Sequence, residues 1–119
     1  MSYGAVVVVV RRECGAVDPL AVHKALANPA RADFLRWLKT PERYFDEDYY
    51  RERGVGFHIG VCVTDIREQS GLAQSVVSGY LQILRDAGLL VSERVGKWTF
   101  YRRNEETIAA FAAYVRDEL

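Results

Sequence analysis

Apolar residues recur at helical spacing from residue 18 onward, and polar and proline residues divide this stretch into helices. Asp18 is a good N-cap and precedes Pro19, which suits a first helical position, so a helix is predicted to begin there. Asn28 and Pro29 end this helix and begin a second one. The second helix ends at Thr40 and carries an apolar stripe, which consists of Phe34, Leu35 and Leu38.

The next stretch, residues 41–60, is the least regular part of the chain and is predicted to be a long connection without regular structure. It is rich in charged residues and in aromatic residues, which are Tyr44, Phe45, Tyr49, Tyr50 and Phe57. Two interpretations stay open. The aromatic side chains either pack on the core with the charges in water, or close over a small organic effector.

From Val61 onward the pattern becomes regular again. Thr64 is predicted to cap a short helix over 65–70, Gly71 breaks it, and a second helix spans about 73–87. Residues 90–94 and 98–102 then alternate as two strands. Gly96 and Lys97 between them suit a two-residue type II′ turn.

Asn104 is predicted to cap a last helix with one strongly apolar face. That face is too apolar for a lone terminal helix, so a second subunit is expected to cover it. The predicted interface residues on this helix are Ile108, Phe111, Ala112 and Val115.

This order of elements predicts a winged helix-turn-helix, mainly α with a small β-hairpin, over residues 18–119. The helix-turn-helix covers about 64–88, the wing about 90–103 and the dimerisation helix about 104–119. Residues 1–17 form a leader that is either a β-strand along the dimer or disordered.

Such a motif reads DNA with the first turn of its second helix, which enters the major groove. Small polar groups occupy this turn, and cations lie in or beside the wing, where they can reach phosphates. The predicted DNA contacts are Gln74, Ser75, Ser78, Gln82, Arg94, Lys97 and Arg31. Arg102 and Arg103 are expected to add charge at the end of the wing. Gly79, within the helix predicted over 73–87, indicates either a close approach of the helix backbone to DNA or a glycine without a function that the helix tolerates.

Composition narrows the function classes. Sixteen basic and sixteen acidic residues cancel, so any affinity for DNA has to come from local charge. The chain has no apolar run long enough to span a membrane, and a cytoplasmic protein is expected. It also lacks a nucleophile with a base and a phosphate-binding glycine loop, so an enzyme is not expected.

Several motifs in register resemble the arsenic-repressor (ArsR) family of winged-helix regulators, over about residues 19–119. The motifs lie at 24–31, 65–66, 71–78, 81–89 and 94–97, together with Tyr101. The resemblance implies a homodimer whose first and last helices form the interface, which adds Leu20 of the first helix to the predicted interface residues. It also implies a repressor that binds an imperfect inverted repeat in its own promoter and releases it when an inducer arrives.

The inducer is less well specified. Metal-sensing members of the family carry a Cys-x-Cys pair where this chain has Cys62 and Thr64, so the site is incomplete. Cys14 could supply a second thiol for trivalent arsenic, another soft metal or an oxidant. The alternative is an inert Cys62 and an incidental Cys14. No other cofactor is predicted.

A winged helix that binds proteins instead of DNA is the alternative function. The pair of cations at the wing, Arg94 and Lys97, favours DNA, because a pure interaction module has no need for them there.

Overall fold

The fold is described for residues 17–119 from a computed structural model. The predictions for the leader before Val17, including the role of Cys14, lie outside these residues. Within them the chain forms six α-helices, which are α1 (Pro19–Leu26), α2 (Pro29–Lys39), α3 (Glu47–Glu52), α4 (Val63–Ser70), α5 (Gln74–Asp86) and α6 (Glu105–Asp117). The three strands are β1 (Val61–Cys62), β2 (Leu90–Val95) and β3 (Trp98–Arg103).

Three helices begin where the sequence predicts, because a side chain satisfies the free N–H groups of the first turn. The Asp18 carboxylate accepts from the Leu20 N–H at 3.2 Å, and the Asn28 side chain accepts from the Arg31 N–H at 3.1 Å. Asn104 likewise accepts from the Thr107 N–H at 3.3 Å. These polar residues therefore set the starts of α1, α2 and α6.

The predicted start of α4 is wrong. The helix begins at Val63, and Thr64 is an exposed residue of the first turn rather than the cap. The reason is a third strand that the sequence did not reveal: Val61 and Cys62 pair with Tyr101 and Phe100 of β3. The chain leaves this strand directly into the helix, so no side-chain cap precedes it.

The prediction that residues 41–60 lack regular structure is wrong, because this stretch contains a 3₁₀ turn at Pro41–Arg43 and the helix α3. The Asp46 carboxylate caps α3 by accepting from the Tyr49 N–H at 3.2 Å. Glu47 and Asp48 lie in the first turn, where their negative charges interact favourably with the positive end of the helix dipole. A helix of six residues is too short to show a hydrophobic period, which is why the sequence pattern missed it.

The small sheet is antiparallel, with β3 between β1 and β2. Val95 pairs with Trp98, so the turn consists of Gly96 and Lys97, and Gly96 has a φ of +61° that favours glycine. The fully buried core joins the helices to this sheet and includes Val22, Phe34, Val61, Ile66, Val77, Leu81 and Leu84. The mainly α winged helix-turn-helix with a β-hairpin is therefore confirmed.

Candidate nucleic-acid interface

The first turns of α5 form a polar, exposed surface. Gln74, Ser75 and Ser78 are exposed, whereas Val77 is fully buried against the core, as the sequence predicts. The Gln74 Nε2 donates to the Ser78 Oγ at 3.2 Å, so these two side chains already lie side by side. Both groups can exchange this exposed bond for a base edge at little cost.

Gln82 lies further along the same exposed face. Its Nε2 donates to Asp86 at 2.8 Å, and its Oε1 accepts from Arg85 at 3.2 Å. Arg85 in turn donates to Ser92 on β2 at 3.3 Å. This polar row connects the end of α5 to the base of the wing.

Arg31 has a mainly internal set of contacts. Its Nε donates to the Ala25 carbonyl at 2.7 Å and its Nη2 to the Lys24 carbonyl at 3.2 Å, at the end of α1. Its guanidinium also lies 5.1 Å from the ring centroid of Tyr80, whose hydroxyl lies 3.4 Å from the Asn28 amide. Arg31 therefore holds α1 and α2 against α5, and any part in DNA binding adds to this role.

The tip of the wing carries two exposed cations, Arg94 and Lys97. The Arg94 Nε donates to the Gly96 carbonyl at 3.0 Å, which keeps its guanidinium beside the turn. The Lys97 Nζ lies 5.4 Å from the centroid of the Trp98 ring. Within residues 17–119 neither cation forms an ion pair, so both charges can face a phosphate.

The expectation that Arg102 and Arg103 add free charge to the wing is wrong. Arg102 donates to Glu93 at 2.7 Å and to the Ile59 carbonyl at 3.1 Å. Arg103 binds both oxygens of Glu105 and donates to the Leu35 carbonyl at 3.4 Å, and its side chain is only 13% exposed. The hydrogen bond from Arg103 lowers the pKa of the Glu105 carboxyl below its ordinary value. Both arginines hold the sheet to its neighbours.

A cavity of about 390 Å³ lies between α3, the start of α4 and the hairpin. Four aromatic side chains line it, which are Tyr49, Tyr50, Trp98 and Phe100, and the guanidinium of Arg53 lies at the same site. The aromatic residues of the connection thus divide between the two interpretations. Tyr50 packs in the core, while Tyr49 is exposed at the cavity.

A partly buried chain of hydrogen bonds forms one wall of this cavity. The Tyr50 hydroxyl donates to the Asp65 carboxylate and accepts from the Cys62 N–H at 2.9 Å. Burial, reinforced by the bond to Asp65, raises the pKa of Tyr50 far above its ordinary value. Sequence reasoning missed Tyr50 and Asp65 as partners, because no local pattern shows that α3 meets α4.

Cys62 also lines the cavity and is 9% exposed. It is the free cysteine of residues 17–119, and no group of three metal-ligating side chains occurs in this part of the chain. None of the helices described here is long and apolar enough to cross a membrane.

The predicted dimer residues lie on two neighbouring helices. His23 of α1 meets Phe111 of α6 edge to face, with ring centroids 5.3 Å apart. Ile108 and Phe111 pack partly on the core, whereas Ala112 and Val115 are exposed. Leu20 of α1 is 72% exposed and extends the apolar surface of these two helices, and Leu119, beyond the end of α6, is also exposed.

Comparison with curated proteins finds transcriptional regulators. The chain is 41% identical over 104 residues to YbzH of Bacillus subtilis, an uncharacterized HTH-type transcriptional regulator, covering 87% of this chain and all of that protein. It is 42% identical over 88 residues to a putative arsenical resistance operon repressor, ArsR2, of Halobacterium salinarum, covering 74% of this chain and 60% of the relative. No family model matches the chain.

Comparison with solved structures finds the same fold. A homodimeric winged helix-turn-helix domain of Mycobacterium bovis, from a possible ArsR-family regulator, superposes with a TM-score of 0.57 at 28% identity, over 83% of this chain and 78% of the other. A possible transcriptional regulator for arsenical resistance has a TM-score of 0.60 at 20% identity, over 85% and 83% of the two chains, and supports the fold alone.

Proposed function

Because the chain belongs to the ArsR family of winged helix-turn-helix transcriptional regulators, we propose that it is a cytoplasmic DNA-binding repressor. It acts as a homodimer on an inverted repeat in its own promoter and leaves this operator when an inducer binds.

One observation carries the DNA-binding proposal: the polar first turns of α5 and the cationic tip of the wing are both exposed. Gln74 has the paired donor and acceptor that adenine requires, and Ser75 and Ser78 can reach bases or phosphates. Arg94 and Lys97 then supply charge for the flanking backbone. In this proposal the α5 side chains read the base sequence, and the two wing cations anchor the protein on the phosphates.

The homodimer is supported by the exposed apolar surface on α1 and α6. Leu20 and Val115 are large apolar residues that a monomer would leave in water. A two-fold axis at this surface would place two recognition helices about one DNA turn apart, which matches an inverted repeat.

The test is a fluorescence anisotropy titration of the purified protein with duplex DNA from the region upstream of its own gene. We expect saturable binding that exceeds binding to a shuffled duplex of the same length and falls steeply with salt. Absence of binding to either duplex at low salt would favour the alternative, a winged-helix protein interaction module. Equal binding to both duplexes would show that the upstream region contains no specific operator for this protein.

A thiol-reactive inducer, arsenite or an oxidant, is supported by the position of Cys62 at the cavity beside the start of α4. Trivalent arsenic requires two or three thiolates, so Cys14, from either subunit, would have to complete the site. The Cys62→Ser variant should bind the operator like the wild type but fail to release it with arsenite or peroxide. A Cys62→Ser protein that still responds would contradict the thiol mechanism.

A further inference from the structure

The aromatic cavity already holds a cation of the chain itself. The Arg53 guanidinium lies 4.4 Å from the ring centroid of Tyr49 and 5.3 Å from that of Trp98. These two rings come from α3 and from the wing, so they meet only in the folded chain. Tyr and Trp faces attract cations through the negative charge above the ring, and a planar guanidinium fits this arrangement well.

Arg53 is held weakly enough to be displaced. It is exposed, and among the described residues its charge has no carboxylate partner. Its neighbour Arg51, by contrast, pairs with Asp48 at 2.5 Å and Glu47 at 3.6 Å on the same helix. The cation–aromatic contacts of Arg53 are therefore the interactions that a ligand would have to replace.

The cavity also contains a carboxylate that is only partly used. Tyr50 donates to one Asp65 oxygen, Oδ2, and residues 17–119 supply no hydrogen bond to the other. Asp65 lines the same cavity as the four aromatic rings. A free carboxylate oxygen beside aromatic faces favours a positively charged donor and disfavours an anion.

We propose that this cavity binds a small aromatic cation, a protonated amine or guanidinium on one or two rings, in place of the Arg53 side chain. The cationic group takes the place of the guanidinium at Tyr49 and Trp98 and pairs with Asp65. The ligand's ring packs on the apolar lining of the cavity, which includes Val55, Val95 and Phe100. A volume of about 390 Å³ fits a molecule of this size. The binding itself requires no DNA, and only its consequence for the operator rests on the proposed function.

That consequence follows from the position of Trp98. Its ring contacts Arg53 within the cavity and lies beside Lys97 at the tip of the wing. A ligand that displaces Arg53 and packs on Trp98 changes the surroundings of the Lys97 charge. Occupancy is therefore expected to weaken the anchoring of the wing on DNA.

Three probes of similar size and different charge test the site: 2-phenylethylammonium, 2-phenylethanol and phenylacetate. The chain has two tryptophans, and the ¹⁵N-labelled indole signal of Trp98 reports the cavity. Trp37, which packs on Phe34 and Tyr44, is the internal reference. We expect the cation to shift the Trp98 signal and to bind about tenfold more tightly than the alcohol. Phenylacetate should bind more weakly than either.

Three variants separate the contributions. Arg53→Ala should strengthen binding of 2-phenylethylammonium about threefold, because it removes the competing cation. Asp65→Asn keeps an acceptor for Tyr50 but should weaken binding about tenfold. Arg51→Ala, two residues before Arg53 in the chain but outside the cavity, should leave the affinity unchanged.

The proposal is overturned if no probe shifts the Trp98 signal, if phenylacetate binds as tightly as the cation, or if Arg53→Ala weakens binding of the cation. Operator affinity is then measured separately with and without the ligand. Binding of the cation with unchanged operator affinity would uphold the site and overturn its coupling to DNA. Failure to bind any DNA would instead count against the repressor function.

Discussion

At the residue scale, Tyr50 shows how one side chain connects separate elements. Its ring is 4% exposed, and its hydroxyl joins the Asp65 carboxylate of α4 to the N–H of Cys62 in β1. Both partners are polar groups in or beside the core, where an unmade hydrogen bond is costly. Tyr50 therefore attaches the inserted helix α3 to the base of the helix-turn-helix.

Replacing Tyr50 with Phe should lower the free energy of unfolding by about 1–3 kcal/mol at neutral pH, since it leaves these groups without their partner. The pKa of Tyr50 is raised in the folded state, whereas a tyrosine in the unfolded chain ionises near pH 10. The stability that the neutral hydroxyl contributes is thus complete below about pH 10 and is lost as the pH rises above it. Urea unfolding of both proteins should show that the difference in their free energies of unfolding becomes smaller above pH 10. A difference that stays constant up to pH 11 would contradict a stabilising role of the neutral Tyr50 hydroxyl.

Gly79 allows a second prediction at this scale. It lies on the exposed face of α5, and a Cβ added there meets nothing within 4 Å. Gly79→Ala should therefore raise the free energy of unfolding by about 1 kcal/mol through helix propensity. Gly71 is the matched control: its surroundings are equally open, but its φ of +73° means that Gly71→Ala should destabilise by about 1–2 kcal/mol.

The same pair of variants tests both interpretations of Gly79. A drop in operator affinity of the stabilised Gly79→Ala protein would show that the helix backbone approaches DNA closely. Unchanged operator affinity would show that the helix tolerates this glycine and that it has no function in DNA binding. Thermal unfolding that shows no gain in stability for Gly79→Ala would contradict the propensity argument.

At the element scale, the recognition helix and the wing are expected to do different work. Side chains on α5 face base edges, whose pattern depends on sequence, whereas the wing faces phosphates, which are the same everywhere. Removing one contact from each element should therefore change different properties of DNA binding.

Gln74→Ala should relax the preference at one base pair, at a cost of about 1–3 kcal/mol against the best operator. Affinity for operators already changed at that base pair should hardly fall. Anisotropy titrations over a set of single-base operator variants measure this. A uniform loss across the set would show that Gln74 does not read a base.

Lys97→Ala should weaken binding to all duplexes and lower the slope of log affinity against log salt by about one. Lys39 is the control. It is an exposed lysine at the end of α2, near Glu105 and away from the tip of the wing, and its replacement with Ala should leave the slope unchanged. If the two variants have the same slope, the wing does not anchor the protein.

At the scale of the whole molecule, the exposed apolar residues fall into separate regions. Leu20 and Val115 lie on the helix pair α1 and α6, and Leu119 follows α6, whereas Val76 and Ile83 lie on the exposed face of α5. The first region is expected to be covered by a second subunit and the second by DNA. The two surfaces can be tested independently.

Leu20→Glu should shift the protein from dimer to monomer in sedimentation velocity, because it places a charge in the proposed apolar contact. Operator affinity should fall for the inverted repeat but change little for a single half-site. Ile83→Glu introduces the same charge at a residue that is 42% exposed on α5 and should leave the dimer intact. Dissociation by both variants, or by neither, would contradict the proposed interface.

The sequence by itself determined the features that depend on neighbours a few residues away. Asp18, Asn28 and Asn104 start their helices through bonds spanning two or three residues, and Gly96 forms the hairpin turn with its own backbone angle. The order of these local elements was enough to indicate the winged helix-turn-helix. For the same reason, the inward position of Val77 was predictable from spacing alone.

Tertiary structure alone decided which side chains meet across the fold. Tyr50 reaches Asp65 and Cys62 over 15 and 12 residues, and Arg103 reaches the Leu35 carbonyl over 68. Such contacts depend on how elements pack, and no local pattern encodes that packing. It paired Arg102 with Glu93 and Arg103 with Glu105, and it brought both Tyr49 and Trp98 to Arg53. The charges were visible in the sequence, but their partners were not.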